Sequence, residues 1–299
     1  MAGLSTAGVE FSGDLMRYAE VGHEDGRFRL LRLGNCEFEF DAESVVFGEG
    51  PGHLRGVIRE ALGDIFQDTE ASTFRFVIPS ELQTRFTTAV PLEADINQRS
   101  ALIGFETRLF TGNRSAGDVF PAHLRSDPEV GAQRFAVSHI DETVSEALRD
   151  ISSVFPGVPV QLAPSMMAST LAFRHIAHRE RLSGRRYLLL GCHPDSCDVI
   201  LMHGAEPLNQ DHVETAHAED VAYHGLLACS RAGLAWHEVD GVYAYGAHAA
   251  VCASGVLKEA FGDQASTLNP GVIVDLEEDR FGEDFPIEAF VPVIGSAIQ

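Results

Sequence analysis

Cys192, His193, Cys197 and His203 crowd one short stretch, and thiolate and imidazole are the ligands zinc prefers. Structural zinc sites pair cysteines about two to four residues apart and add a second pair downstream. Here a hairpin turn at Pro194-Asp195 already accounts for the spacing. Cys192 and His193 also suggest a nucleophile and its base, but neighbours on a strand point to opposite faces. His175 and His178 sit three apart on a predicted helix, among Arg174, Arg179 and Arg181, which reads as a solvated face. Lys258 is the only lysine and is followed by Glu259, so no G-x-x-x-x-G-K-[ST] phosphate loop exists. Neither a G-x-G-x-x-G nor a G-x-S-x-G signature occurs.

The elements that would position any site come in a repeated order. Val9 to Val21, Arg27 to Leu33 and Glu37 to Phe40 are β-like runs set off by His23-Glu24-Asp25-Gly26 and Gly34-Asn35, an antiparallel meander. Leu54, Val57, Ile58, Ala61, Leu62 and Ile65 then recur at helical spacing, and Phe74 to Ile78 is a buried strand stopped by Pro79. The same order returns about 180 residues later. Tyr187 to Leu190, Cys197 to Met202 and a short run at Pro207-Leu208 form a second meander, turning at Pro194-Asp195 and His203-Gly204. A helix from Ala216 to Ala232, a strand from Gly241 to Tyr245 and a helix from Ala249 to Phe261 follow. This duplication predicts two related α/β lobes with a cleft between them.

Between the repeats, Ser80 to Phe135 reads as an inserted subdomain with a helix at Ala94 to Phe110 and a polar stretch at Thr111 to Asp118. Helices are expected at Asp141 to Val154, capped by Asp141, at Pro164 to Glu180 and at Pro286 to Ala297; Asp275 to Asp284 is an acidic loop.

The 44 Asp and Glu outnumber the 22 Lys and Arg, a formal net charge of −22 that disfavours phosphate backbones and anionic membranes as partners. An acidic surface almost without lysine suits high salt, where the Debye length shrinks to roughly 3 Å near 1 M; a salt-adapted source and a GC-rich genome are the two explanations. Five cysteines in a chain of 299 residues argue against a disulfide framework. Met1 to Gly8 does not read as a signal peptide, and no run of 18 apolar residues occurs, so the expected location is cytoplasmic.

VEFSGDLMRYAEV, Val9 to Val21, resembles the phosphate-1 hairpin of the PilM proteins of type IV pilus assembly and the related cell-division FtsA proteins. Glu10 and Ser12 fall at the positions of a D-x-G turn, and Arg17 where these families often carry lysine. Phe76 to Pro79 with Arg85, Pro91, Arg99 and Glu106 resembles the PilM entry to its extra subdomain. YLLLGCHPDSCDVI, Tyr187 to Ile200, is similar to the phosphate-2 hairpin, with Gly191 retained and Leu189 in the aspartate position. VYAYGAHA, Val242 to Ala249, is similar to the adenosine motif, keeping Gly246 and placing Ala247 at the second glycine; FVPVIGSAI, Phe290 to Ile298, resembles the closing helix.

The resemblance implies a duplicated actin-like, ribonuclease H-like fold: a first lobe of residues 1–79 and 136–182, an insert of 80–135, and a second lobe of 183–299 whose last helix returns to the first. It makes Glu10, Ser12, Gly13, Arg17, Gly191 and Gly246 the nucleotide-binding residues if ATP and Mg²⁺ are bound. Mg²⁺ needs near-octahedral oxygen ligands, which Leu189 cannot supply and which Glu10 supplies one methylene displaced; an error on the order of 1 Å costs roughly a hundredfold in rate. Ser12 and Gly13 retain backbone N–H groups for a phosphate. The expectation is a scaffold of a pilus or secretion assembly with lost or weakened ATP hydrolysis. It would hold the cytoplasmic tail of a membrane partner in a groove between first lobe and insert, peripheral to the inner membrane, with apolar lining around Phe86, Val90, Leu92 and Phe105. A nucleotide-dependent ATPase and a small-molecule kinase relative are the alternatives.

Overall fold

The computed structural model describes residues 5–24, 26–48, 50–112, 116–215, 217–275 and 285–299. Residues 276–284 of the acidic loop, 113–115 of the polar stretch, 1–4 and Asp25 lie outside them. In chain order the first unit comprises β1 (Ser5–Ser12), β2 (Leu15–Glu24), β3 (Arg27–Glu37), α1 (Ala42–Phe47), α2 (Gly52–Ile65) and β4 (Ala71–Ile78). The insert carries β5 (Gln83–Pro91), α3 (Ile96–Phe110), β6 (Gly117–Asp127) and β7 (Ala132–Asp141), and its sheet therefore runs past residue 135 to Asp141. Then come α4 (Glu142–Ile151), β8 (Val160–Pro164) and α5 (Ser165–Arg179). The second unit comprises β9 (Arg186–Cys192), β10 (Ser196–His203), β11 (Glu206–Glu214), α6 (Ala218–Arg231), β12 (Gly241–Tyr245), α7 (Ala249–Ser254), α8 (Val256–Phe261), β13 (Ala265–Thr267), β14 (Val274–Asp275) and α9 (Val291–Ala297).

Among the described residues the strands form three sheets, ordered β14-β3-β2-β1-β4-β8, β11-β10-β9-β12-β13 and β5-β7-β6. The first four strands of each unit take the same places, β3-β2-β1-β4 and β11-β10-β9-β12, with β1 parallel to β4 and β9 parallel to β12. The predicted duplication is therefore structural. The two sheets meet through α5 and α9: Val21 and Val77 of one, Leu189 and Ile200 of the other, Phe173 of α5 and Val293 and Ile294 of α9 share one buried cluster. The closing helix of the chain thus docks on the first sheet, where Gly8 of β1 admits the Val293 carbonyl.

Several boundaries differ from the sequence reading. Val9 to Val21 is the hairpin that its resemblance implied, turning at Gly13-Asp14 with Gly13 in the left-handed region at φ 59°, but its strands reach further, to Ser5 and Glu24. Gly34-Asn35 is not a turn but lies inside β3; the glycine is there because a Cβ would come within 2.9 Å of the Tyr18 ring on the next strand. Glu37 to Phe40 is not a separate strand: β3 ends at Glu37, and Phe38 and Phe40 pack under α1 and α2 in the first lobe's core. The run at Pro207-Leu208 extends into the nine residues of β11, polar because it is a sheet edge. The helix expected from Ala249 to Phe261 breaks at Gly255 into α7 and α8. Insert helix α3 starts with a reciprocal capping box between Asp95 and Gln98, which the spacing had not suggested.

Candidate functional site

The equivalent hairpins β1–β2 and β9–β10 turn toward a common cleft of ≈ 340 Å³. Its wall combines Glu10, Ser12 and Gly13 with Asp41 and Glu43 at the start of α1, Ser80 and Glu81 after β4, Ser165 opening α5, and His193 to Ser196 of the second turn. Strand ends and helix starts collect here because the parallel pairing of β1 with β4 aligns their C-terminal ends, as does that of β9 with β12.

Asp198 of β10 is the fully buried centre of this region. His212 Nδ1 donates to its Oδ1 at 2.8 Å, and His193 Nε2 lies 3.6 Å from Oδ2. The Ser165 and Tyr245 hydroxyls reach Oδ2 at 3.5 Å each, and Ser80 lies 3.1 Å from Ser165. Burial opposes ionisation of Asp198, but the hydrogen bonds and charges of His193 and His212 hold its carboxyl well below the usual range. Burial likewise opposes the charge of His193, and the Asp198 bond, with Glu10 and Glu81 behind it, outweighs that and raises its pKa. Across the cleft, buried Glu10 faces its cross-strand partner Arg17 at 3.5 Å; burial still raises its pKa. Glu81 ties the two units together, accepting from the Ser196 hydroxyl and lying 3.7 Å from His212 Nε2.

Of the residues singled out by sequence, Glu10, Ser12 and Gly13 line the cleft, while Arg17, Gly191 and Gly246 do not. Gly191 is a strand residue: a Cβ there would come within 2.8 Å of the Tyr245 ring and 2.9 Å of Asp198 Cβ. Gly246 turns the chain after β12 at φ 95°, its Cβ direction 2.9 Å from the Cys192 carbonyl oxygen. Leu189, at the expected aspartate position, is core, packed between the sheets. The hairpin's carboxylate is Asp198 instead, on the return strand opposite Gly191. Its signal was a lone aspartate inside the apolar run Cys197 to Met202, followed by His212 at an alternate strand position. The cysteine and histidine cluster disperses: Cys192 and Cys197 are cross-strand partners in the second lobe's core, where a hydrogen bond with Cys252 and then burial raise the Cys192 thiol and burial raises that of Cys197, and His203 is exposed at the far end of β10. Among the described residues, no three His, Cys, Asp or Glu side chains are grouped to hold a metal ion.

The donor set does not fit magnesium nucleotide. The Gly13 N–H, which a phosphate would need, donates at 2.9 Å to Glu43 Oε2, so a carboxylate of the chain itself stands at the turn. Asp41 caps α1 in the same way, accepting from Ser44 N at 2.9 Å. Glu10 and Asp198, one buried carboxylate from each hairpin, are engaged by Arg17 and by the two histidines. Four further carboxylates of the wall, Asp41, Glu43, Glu81 and Asp195, would repel a polyphosphate.

No protein-family model matches the sequence, and no curated protein matches it at a significant level. Solved structures do. A chain of the PilM–PilN type IV pilus biogenesis complex superposes with a TM-score of 0.74 at 14% identity, covering 98% of this chain and 97% of that one. A Bacteroides thetaiotaomicron protein described as having an actin-like ATPase fold and unknown function gives 0.53 at 13% identity, over 93% and 95%. The ethanolamine utilization protein EutJ from Carboxydothermus hydrogenoformans gives 0.52 at 8% identity, over 100% and 90%. With the duplicated sheets, the cleft between their hairpins and the insert in place, the chain has the actin-like ATPase fold, in a PilM-like arrangement.

Proposed function

We propose that the protein is a scaffold of a pilus or secretion assembly that holds the cytoplasmic tail of a membrane protein, and that its cleft serves as structure rather than as an ATPase site. The parts are the first lobe (1–79 and 136–182), the insert (80–135, its sheet closed by β7) and the second lobe (183–299). The observation that carries the reading is an apolar stripe on insert helix α3. Leu102, Phe105 and Leu109 are 43%, 52% and 63% exposed at helical spacing, while Ile103 and Thr107 on the other side are buried against the sheet. Water-exposed leucine and phenylalanine in a row mark a contact surface. The lining foreseen from sequence needs correction: Val90 is fully buried beneath α3 and Phe86 stacks on Phe110 at 4.3 Å, leaving Leu92 and Phe105 exposed.

The superposition on a chain of a PilM–PilN complex supports a protein partner of PilN type, and engagement of Glu10, Asp198 and the Gly13 N–H by the chain's own side chains supports a cleft without turnover. Among the described residues no helix is long and apolar enough to cross a membrane, so in this reading the partner supplies the anchor. The acidic surface with its single lysine fits work in high salt, and binding is best measured in molar KCl. A labelled peptide from the tail of a PilN-like membrane protein of the same organism should bind the wild type in fluorescence anisotropy. Phe105→Glu should weaken it at least tenfold, about the effect of an interface hot spot. Equal affinity for the variant, or no binding to either, would remove the scaffold reading.

A further inference from the structure

A second concavity, of ≈ 400 Å³, lies between the insert sheet and the edge of the second lobe and shares no lining residue with the cleft. Thr87, Arg125 and Arg134 form its floor, Asn209 to Asp211 of β11 one wall, and Arg231 at the end of α6 the other. Arg125 and Arg134 are direct cross-strand partners in the β6–β7 pairing. Like charges in that relation destabilise a sheet, and neither guanidinium has an ion-pair partner among the described residues. The chain has twice as many acidic as basic residues, 44 against 22, so partners are plentiful and their absence here is a local arrangement.

The backbone contributes to it. The register of β6 shifts between His123 and Arg125, a bulge that leaves Leu124 buried at 4% exposure and Arg125 beside Arg134. Alternation along β5 and β7 puts Arg85, opposite Ser138, on the same sheet face as Thr87 and Arg134. Arg85 lines an adjoining cavity of ≈ 310 Å³ that shares Thr87, Gln210 and Asp211 with the first. Arg231, paired with Asp211 at 3.3 Å, closes the rim.

We propose that this groove binds a small phosphate-bearing ligand through Arg125 and Arg134, with Arg231 at its edge. A phosphate dianion neutralises both unpaired cations at once, and the planar guanidinium fork matches its oxygens. A space of this size admits a metabolite rather than a polymer. The inference is independent of the scaffold reading and of the cleft.

Pyrophosphate is the probe, titrated into the full chain at low ionic strength by calorimetry and by thermal melting. Wild type should bind it at one site and melt at a higher temperature. Arg134→Gln and Arg125→Gln should each weaken binding at least tenfold, while Arg149→Gln, an exposed arginine on α4 outside the groove, should bind as wild type does. Without ligand, Arg134→Gln should melt no lower than wild type, since it relieves a repulsion. The proposal is overturned by absence of pyrophosphate binding, by undiminished binding in both groove variants, by equal loss in Arg149→Gln, or by a lower melting temperature of ligand-free Arg134→Gln. Binding of a polyglutamate peptide but not pyrophosphate would also overturn it, in favour of an acidic protein partner.

Discussion

Asp198→Ala is expected to lower the unfolding free energy by about 3–5 kcal/mol, the cost of breaking a buried ion pair by removing one partner. Asp198 is fully buried and accepts from or faces His212, His193, Ser165 and Tyr245; without it those groups keep their desolvation and lose their acceptor. The effect has a defined pH dependence. The depressed pKa of Asp198 means its stabilisation is present above the unfolded carboxyl value of about 4 and is lost as pH falls through the lower folded value. The raised pKa of His193 means its stabilisation is complete below the unfolded value of about 6.5 and is lost as pH rises through the higher folded one. The gap between wild type and Asp198→Ala in urea denaturation should therefore be wider at pH 5.5 than at pH 8.5. A gap independent of pH would mean that His193 does not carry charge in the folded protein.

The next largest effect concerns the closing helix. A Cβ on Gly8 would collide with the Val293 carbonyl oxygen and one on Gly295 with the Ala168 carbonyl oxygen, both backbone atoms that cannot swing aside. Gly8→Ala and Gly295→Ala should each destabilise the protein by about 1–3 kcal/mol, the usual cost of overpacking. The loss arises where α9 joins both lobes, so exposure of α9 by hydrogen exchange should precede global unfolding in these variants. Gly56→Ala is the control: it lies in the exposed middle of α2 with open space at its Cβ direction and should stabilise by about 0.5–1 kcal/mol. Destabilisation by Gly56→Ala equal to that by Gly295→Ala would show that the glycines matter for backbone conformation rather than for close packing.

The fold was legible because it is written twice. Helical spacing from Leu54 to Ile65 and apolar runs from Phe74 to Ile78 and from Cys197 to Met202 mark positions whose burial is set by the period of their element, which sequence states directly. The limits of β3 were hidden because Gly34 looks like a turn residue when its neighbour across the sheet, Tyr18, is unknown. Half of the site was legible for a related reason. Glu10, Ser12 and Gly13 lie in a local hairpin whose turn chemistry is contiguous, whereas Glu81 and Ser165 come from elements far along the chain from the paired strands that carry Asp198 and His212, and meet them only in the folded protein. Motif position pointed to Leu189, whereas the buried carboxylate stands on the partner strand, where Asp198 pairs with Gly191. Occupation of the Gly13 N–H by Glu43, thirty residues on, could not be read from spacing at all.

The central claim, that the chain's own side chains have taken over the nucleotide cleft, is tested most directly by thermal melting and calorimetry of the full chain with Mg-ATP and Mg-ADP in molar KCl. Any ligand that binds the folded state alone raises its stability by about 2.7 kcal/mol at a hundredfold excess over its dissociation constant. In molar KCl, which screens the separate arginine groove, the account predicts no heat of binding and no melting shift at millimolar nucleotide in the Arg134→Gln protein, whose cleft is intact. A saturable shift that disappears in Glu10→Ala would contradict it and make the cleft a working nucleotide site.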